Sequence, residues 1–182
     1  MRIMRLKGKK IGIVGFGRIG KEVARRARGF DMRILYHNRN RDLESEETLA
    51  VEYSAFENLL REAHFVSLNV PLTEETEGLI AEPELRLMRE DSVLINAARG
   101  PVVDSAALYT ALTEGWIAGA ALDVTEPEPL PRDHPLLELT NLVLTPHTGS
   151  ATLRSRLRMG EMARDNLVAG LEQRPLPNQV HK

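Results

Sequence analysis

The sequence contains no cysteine, which excludes disulfide bonds, thiolate catalysis and cysteine-ligated zinc, and which agrees with a reducing, cytoplasmic setting. It also lacks any apolar run approaching the roughly 20 residues that a membrane-spanning helix needs, so no membrane contact is expected. A short signal peptide is rejected because glycines interrupt the apolar run Ile11–Phe16. Neither sign of charge dominates: 24 basic residues stand against 26 acidic ones, a net charge of -2. Because no basic surface is indicated, we expect no nucleic-acid partner, only small molecules or other protein chains.

Strand-like and helix-like segments alternate along all 182 residues, without a linker or a repeat. This alternation is typical of an α/β fold with a doubly wound parallel sheet. We therefore predict one dinucleotide-binding domain over residues 1–182, of which residues 173–182 form a C-terminal tail. The predicted strands are Lys10–Gly15, Met32–His37, Ala50–Tyr53, Phe65–Val70, Ser92–Asn96, Ile117–Val124 and Leu142–Thr145. The predicted helices are Arg18–Gly29, Ala55–Ala63, Glu82–Arg89, Asp104–Glu114 and Ala151–Glu172, with Asp104 as an N-cap and Gly115 as a stop.

A glycine-rich turn follows the first predicted strand and opens the first predicted helix. The turn reads G-x-G-x-x-G, with its glycines at Gly15, Gly17 and Gly20. In this context the glycines permit a tight turn and the close approach of a pyrophosphate, and the helix N-terminus supplies free N–H groups. Arg18, at the start of the helix, adds a positive charge. The turn predicts a dinucleotide site.

The end of the second predicted strand indicates which nicotinamide cofactor is used. An acidic side chain at this point would bind the ribose 2′-hydroxyl of NAD. The sequence has Asn38 followed by Arg39 and Arg41 instead, and no carboxylate before Asp42. Because these side chains would not repel a 2′-phosphate, NADP is preferred here and NAD stays possible. The alternative is that both arginines are ordinary loop charges.

Three further segments carry polar residues directly after predicted strands, where ligand crevices open in parallel sheets. These segments are Asn96–Gly100, Leu122–Pro129 and Leu144–Ser150. Taken singly, each has a structural explanation: a surface arginine, an acidic loop and a histidine in a turn. The spacing of the histidines shows no metal-ligand pattern, so no metal site is predicted.

Taken together, these segments resemble the D-isomer-specific 2-hydroxyacid dehydrogenases, and most closely their glyoxylate/hydroxypyruvate reductases. The matching text covers nearly the whole chain in the right order: Leu6–Gly20, Val70–Thr73, Leu94–Gly100, Leu122–Val124 with Pro127–Pro129, and Leu144–His147 with Gly149 and Ser150. The stretch from Asp133–Leu137 to Asn166–Gly170 is similar to the reductase branch. The resemblance implies a Rossmann-type NAD(P)-binding domain of an enzyme that reduces glyoxylate or hydroxypyruvate to the 2-hydroxy acid.

The resemblance also implies a catalytic set of three residues. Arg99 would bind the carboxylate of a small 2-oxo acid, because a guanidinium offers two parallel donors. His147 would be the general acid, and Glu128 would orient its ring and raise its pKa. Glu126 also precedes a proline, but the spacing in the family and the proline that follows favour Glu128.

The family pattern extends the cofactor-binding set beyond the glycines. It adds Arg18, Ile19, Asn38, Arg39, Val70, Pro71, Thr76, Ala97, Ala98, Arg99, Asp123, His147 and Gly149. Asp123 would meet the nicotinamide carboxamide, or else would only cap a loop. The match begins near Arg5–Gly8, so the family's N-terminal substrate domain is expected to be absent, and a homodimer is expected. The alternative function is a cofactor-binding module without turnover, either a truncated domain or a corepressor-like interaction protein.

Overall fold

The computed structural model describes residues 5–179. The strands are β1 Lys10–Val14, β2 Arg33–His37, β3 Glu52–Tyr53, β4 Phe65–Leu68, β5 Val93–Asn96, β6 Gly119–Leu122 and β7 Leu142–Leu144. The α-helices are α1 Arg18–Arg28, α2 Leu43–Leu49, α3 Phe56–Glu62, α4 Glu82–Leu87, α5 Ser105–Glu114 and α6 Leu153–Leu171. Two short 3₁₀ helices span Gly100–Val102 and Pro135–Glu138.

The strands form one seven-stranded sheet in the order β3-β2-β1-β4-β5-β6-β7, and every pairing is parallel. β1 lies inside the sheet, with β2 on one side and β4 on the other. The chain therefore leaves β1 toward one edge and later returns to build toward the other, and ligands bind at such a switch point in doubly wound sheets. The predicted fold class, a Rossmann-type parallel sheet, is confirmed.

The two faces of β1 pack against different parts of the core. Ile11 and Ile13 belong to a cluster that also holds Ala24 of α1, whereas Val14 belongs to the larger cluster on the opposite face. Gly12 faces α3, and a Cβ at this position would lie 2.3 Å from a methyl carbon of Leu59. Alternating sides of a strand thus bury different helices, as the period of two requires. This packing holds the end of β1, and the turn that follows it, in place.

The helix caps predicted for α5 are present. Asp104 accepts hydrogen bonds from the backbone N–H groups of Ala106 and Ala107, and Gly115 ends the helix with φ +73°. All twelve predicted elements are one to four residues longer than the observed ones, and α2 was not predicted at all. α2 begins after Asp42, whose carboxylate accepts from the backbone N–H of Ser45 at 3.0 Å.

The chain divides into two compact units, one up to Pro146 and one from His147 onward. The first unit contains the whole sheet. The second contains α6, whose first turn is capped by Thr152 accepting from the backbone N–H of Ser155. Residues 173–179 form neither helix nor strand, and the rest of the predicted tail, residues 180–182, lies outside the described residues. Within residues 5–179, no helix has the length and apolar character needed to cross a bilayer.

Candidate functional site

A cavity of about 340 Å³ opens at the carboxyl edge of the sheet, where β1 lies between β2 and β4. Seven residues that the sequence predicted for the cofactor line it: Gly15, Gly17, Asn38, Arg39, Val70, Pro71 and Thr76. Its size falls in the range of small-molecule sites. The cavity lies at the switch point of the sheet, where the fold predicts a nucleotide.

The three glycines of the turn each meet a different steric demand. Gly15 has φ +90°, and a Cβ there would lie 2.7 Å from the carbonyl group of Asn69, so only glycine fits. A Cβ on Gly20 would lie 2.3 Å from the carbonyl oxygen of Gly15, so this glycine lets helix and turn pack closely. A Cβ on Gly17 would meet no atom within 4 Å. The space beside Gly17 is therefore open to a ligand.

The N-terminus of α1 supplies hydrogen-bond donors next to that space. Gly17 is the N-cap and has no side chain to accept from the first N–H groups of the helix. The first backbone N–H groups of any helix lack intrahelical acceptors and carry a partial positive charge. Phe16 anchors the turn, because its buried ring stacks on Tyr36 of β2 with the centroids 4.2 Å apart. The turn is thus fixed in a form that can receive an anion.

The structure gives different environments to Arg39 and Arg41, the two arginines of the loop after β2 that the sequence alone does not distinguish. Arg39 is exposed and lines the cavity, and Asn38 accepts from the backbone N–H of Phe16 at 3.4 Å. Arg41 instead donates two hydrogen bonds of 2.7 Å to the carboxylate of Glu46, and it is not among the cavity's lining residues. Glu46 also accepts from the Tyr36 hydroxyl at 2.7 Å. Arg39 is therefore the cation that the loop presents to the cavity.

An ion pair holds this loop against α1. The ammonium of Lys21 lies 2.7 Å from the carboxylate of Asp42, which also caps α2. The hydrogen bond from Lys21, followed by that from Ser45, lowers the pKa of Asp42 from 3.8 to about 2. The carboxylate is ionised at neutral pH, and it stabilises the position of the loop that carries Asn38 and Arg39.

Seven further residues line the cavity without having been predicted: Val14, His37, Phe56, Asn69, Thr73, Glu75 and Leu79. Asn69 and His37 stand at the carboxyl ends of their strands, so the rule that ligands bind there was the signal that could have found them. Phe56 and Leu79 carry no such signal, because apolar residues in helices and loops are more often part of the core. Thr73 and Glu75 come from the loop after β4, whose course only the structure gives.

Arg99 follows β5 on an ordered turn. The amide of Asn96 donates to the carbonyl of Arg99 at 2.8 Å and its oxygen accepts from the N–H of Ala98 at 3.0 Å, which shapes the turn. The Arg99 side chain is exposed, and its guanidinium donates to the carbonyl of Ala98 at 2.6 Å. The 3₁₀ helix Gly100–Val102 begins directly after it. The hydrogen bonds of the turn thus fix the backbone of Arg99, and its side chain lies at the surface.

The turn of Arg99 lies against the loop that carries Glu128. A Cβ on Gly100 would be 2.0 Å from the carbonyl oxygen of Thr125, so two backbones touch at this glycine. At the end of β6, Asp123 accepts from the Thr145 hydroxyl at 2.5 Å, and its N–H donates to the Asn96 carbonyl at 2.9 Å. The structure therefore places the segment that contains Arg99 against the segment that contains Glu128.

His147 is the first residue of the second unit. It is exposed and has φ +52°, a left-handed conformation that Asp31, Ala50 and Gln173 also adopt. Gly149 also lies in the second unit. Seven other predicted cofactor-binding residues do not line the cavity: Arg18, Ile19, Gly20, Ala97, Ala98, Arg99 and Asp123. The roles of all these residues stay predictions.

Comparison with known proteins gives a consistent assignment. A family model described as "D-isomer specific 2-hydroxyacid dehydrogenase, NAD binding domain" matches residues 1–149. The glyoxylate reductase of Korarchaeum cryptofilum is 55% identical over 175 residues, which cover 96% of this chain and 53% of that protein. The glyoxylate reductase of Thermococcus litoralis is 53% identical over 177 residues, covering 97% of this chain and 53% of that protein. The crystal structure of the TT0316 protein from Thermus thermophilus superposes with a TM-score of 0.92 at 48% identity, covering 98% of this chain and 55% of that one. The chain thus spans about half the length of the curated relatives it matches.

Proposed function

The chain belongs to the D-isomer-specific 2-hydroxyacid dehydrogenase family and contains its NAD-binding domain. From this premise we propose that it is the cofactor-binding part of an NADP(H)-preferring reductase of a small 2-oxo acid, with glyoxylate or hydroxypyruvate as substrate. The observation that carries the proposal is the cavity at the switch point, lined by the glycine turn and by Arg39. A homodimer, which rests on the family resemblance, and a cytoplasmic location, which rests on the lack of cysteine, are part of the same proposal.

The residues of the cavity fit a dinucleotide. The open space beside Gly17 accommodates a pyrophosphate, and the N–H groups at the start of α1 are placed to donate to it. The apolar side chains of Val70 and Leu79 provide a wall suited to a planar base. When bound, the reduced nicotinamide supplies the hydride, and the protein supplies orientation, substrate binding and a proton.

A preference for the phosphorylated cofactor rests on Arg39. Arg39 lines the cavity, whereas the guanidinium of Arg41 is hydrogen-bonded to Glu46. A charge-assisted hydrogen bond contributes about 1.5–3 kcal/mol, so Arg39→Ala should weaken NADPH binding about ten- to hundredfold. NADH, which has no 2′-phosphate, should bind nearly as well as before.

The matched control for this experiment is Arg41→Ala, which removes the same charge two residues away. Affinities for NADPH and NADH are measured by fluorescence titration of the purified chain for all three proteins. If Arg41→Ala and Arg39→Ala weaken NADPH binding equally, the assignment of the 2′-phosphate to Arg39 is wrong. Tighter binding of NADH than NADPH by the unaltered chain contradicts the preference itself.

In this proposal, three residues have separate roles in binding and reducing the substrate. Arg99 binds the carboxylate of the 2-oxo acid through two parallel N–H donors. His147 donates a proton to the carbonyl oxygen of the substrate, and Glu128 orients the imidazole and favours its protonated form. Support comes from the contact of Gly100 with Thr125, which joins the segments of Arg99 and Glu128.

The test is to mix the purified chain with NADPH and glyoxylate and to follow the absorbance of the reduced cofactor. Loss of the signal supports a reductase, whereas binding without loss supports a cofactor-binding module that has no turnover of its own. In a form of the protein that turns over, Arg99→Ala, Glu128→Gln and His147→Gln should each lower kcat/KM strongly and leave the NADPH affinity nearly intact. Glu126→Gln, in the same proline-rich loop, is the control for Glu128. Unchanged turnover in the three variants would refute the roles.

A further inference from the structure

The loop after β4 forms one wall of the cavity and is closed by hydrogen bonds within itself. The hydroxyl of Thr76 donates to the carbonyl of Pro71 at 2.6 Å and accepts from the backbone N–H of Thr73 at 2.8 Å. The carbonyl of Thr73 accepts from the N–H groups of Thr76 and Glu77 at 3.1 and 2.9 Å. One threonine side chain thus closes the loop on itself.

Glu75 projects from this wall and shares the cavity with Arg39. The hydroxyl of Thr73 donates to the Glu75 carboxylate at 2.7 Å, and all three residues line the cavity. The hydrogen bond from Thr73 lowers the pKa of Glu75, and the positive charge of Arg39 contributes in the same direction. The cavity therefore contains one fixed negative charge on the β4 side and one positive charge on the β2 side. The proposed function uses only the positive one.

We propose that Glu75 is a specificity-determining residue, whose carboxylate repels the 2′-phosphate that Arg39 attracts and so limits the preference for the phosphorylated cofactor. This inference rests on the proposed function, because it assigns a second determinant to the same cofactor site. Glu75 lies in the loop after β4, whereas the usual determinant follows β2.

The size of the effect follows from Coulomb's law. A phosphate monoester carries a charge between about -1.5 and -2 at neutral pH. In a largely aqueous setting, the repulsion between such a phosphate and a carboxylate of the same cavity is weak, and removing it corresponds to about a three- to tenfold gain in affinity. Both Glu75 and Arg39 are exposed, so salt screens the effect, and at about 1 M ionic strength the Debye length of roughly 3 Å removes most of it.

The experiment compares Glu75→Gln with Glu74→Gln in the purified chain. Glu74 is a neighbouring exposed glutamate in the same loop that does not line the cavity, so its loss controls for a change in overall charge. Dissociation constants for NADPH and NADH are measured by fluorescence titration at low and at high salt. Glu75→Gln should tighten NADPH binding about three- to tenfold at low salt, change NADH binding less than about twofold, and lose most of its gain at high salt. Glu74→Gln should change neither affinity appreciably.

The outcomes separate this inference from the function on which it rests. If the unaltered chain binds both cofactors but Glu75→Gln leaves their affinity ratio unchanged, the role of Glu75 is wrong and the proposed function stands. Equal changes for NADPH and NADH, or a gain that survives high salt, show a structural effect on the loop and also overturn the inference. If the unaltered chain binds neither cofactor, the proposed function fails. In the Arg39→Ala background the gain should persist, and its disappearance would refute direct repulsion.

Discussion

Replacing Gly100 by alanine tests whether the contact between two backbones holds the segments of Arg99 and Glu128 together. The added Cβ would lie 2.0 Å from the carbonyl oxygen of Thr125, 2.3 Å from its carbonyl carbon and 2.8 Å from the backbone nitrogen of Glu126. Non-bonded carbon contacts settle at about 3.5 Å, so the two segments must separate by roughly 1.5 Å. No side-chain rotation relieves the clash, because every atom concerned belongs to the main chain.

The expected loss of stability follows from that displacement. Overpacking a well-packed site costs about 1–3 kcal/mol, and the upper end applies here because backbone must move. The lower entropy of alanine in the unfolded chain offsets about 0.4–1 kcal/mol. We therefore expect the free energy of unfolding to fall by about 2 kcal/mol, which for a chain of this length lowers Tm by roughly 4–8 °C. In an active form of the protein, kcat/KM should fall about 100-fold, since a displacement near 1 Å of positioned groups has that effect.

The assay is urea denaturation followed by the fluorescence of Trp116, the single tryptophan of the chain. NADPH affinity is measured in parallel and should fall less than kcat/KM, because none of the residues that line the cavity belongs to the displaced segments. Gly160→Ala is the control, since a Cβ there meets no atom within 4 Å and alanine suits the interior of α6. A Gly100→Ala variant as stable as the unaltered chain would show that the contact does not constrain the segments.

Two further substitutions test the loop after β2 and the glycine turn. Asp42→Asn should lower the free energy of unfolding by about 1 kcal/mol at neutral pH, because it removes the ion pair with Lys21. The pKa of Asp42 is lowered from 3.8 to about 2, so its stabilising effect is present above pH 4 and is lost as the pH falls toward 2; urea titrations across that range should show the variant and the unaltered chain converging. Gly15→Ala should abolish NADPH binding in a fluorescence titration, because its Cβ would lie 2.7 Å from the carbonyl of Asn69 at a φ of +90°. Gly78→Ala, with φ +62° and no atom within 4 Å of the Cβ, should lose stability through backbone strain alone and keep its cofactor affinity.

The helix α2 could not be predicted from the pattern of apolar residues in its own sequence. Its seven residues, Leu43–Leu49, are mostly acidic and polar, and they carry too few apolar positions to show a helical period. The helix forms because Asp42 caps it and because Leu49 joins the core cluster beside β2. The cap depends only on Asp42 and the residues next to it. The packing of Leu49 depends on core residues of β2 that come near it only in the folded sheet.

The strands β1, β2, β4 and β5, the glycine turn and the cap of α5 follow from the sequence itself, because each depends on residues within a few positions of one another. Runs of buried apolar residues, a left-handed glycine and an aspartate before a helix act locally. The tertiary structure decided which of two similar arginines lines the cavity, that Glu75 lines the same cavity as Arg39, and that Gly100 touches Thr125. Those relations join residues that are far apart in the chain, and they exist only because the order of parallel strands brings separate loops to one edge of the sheet.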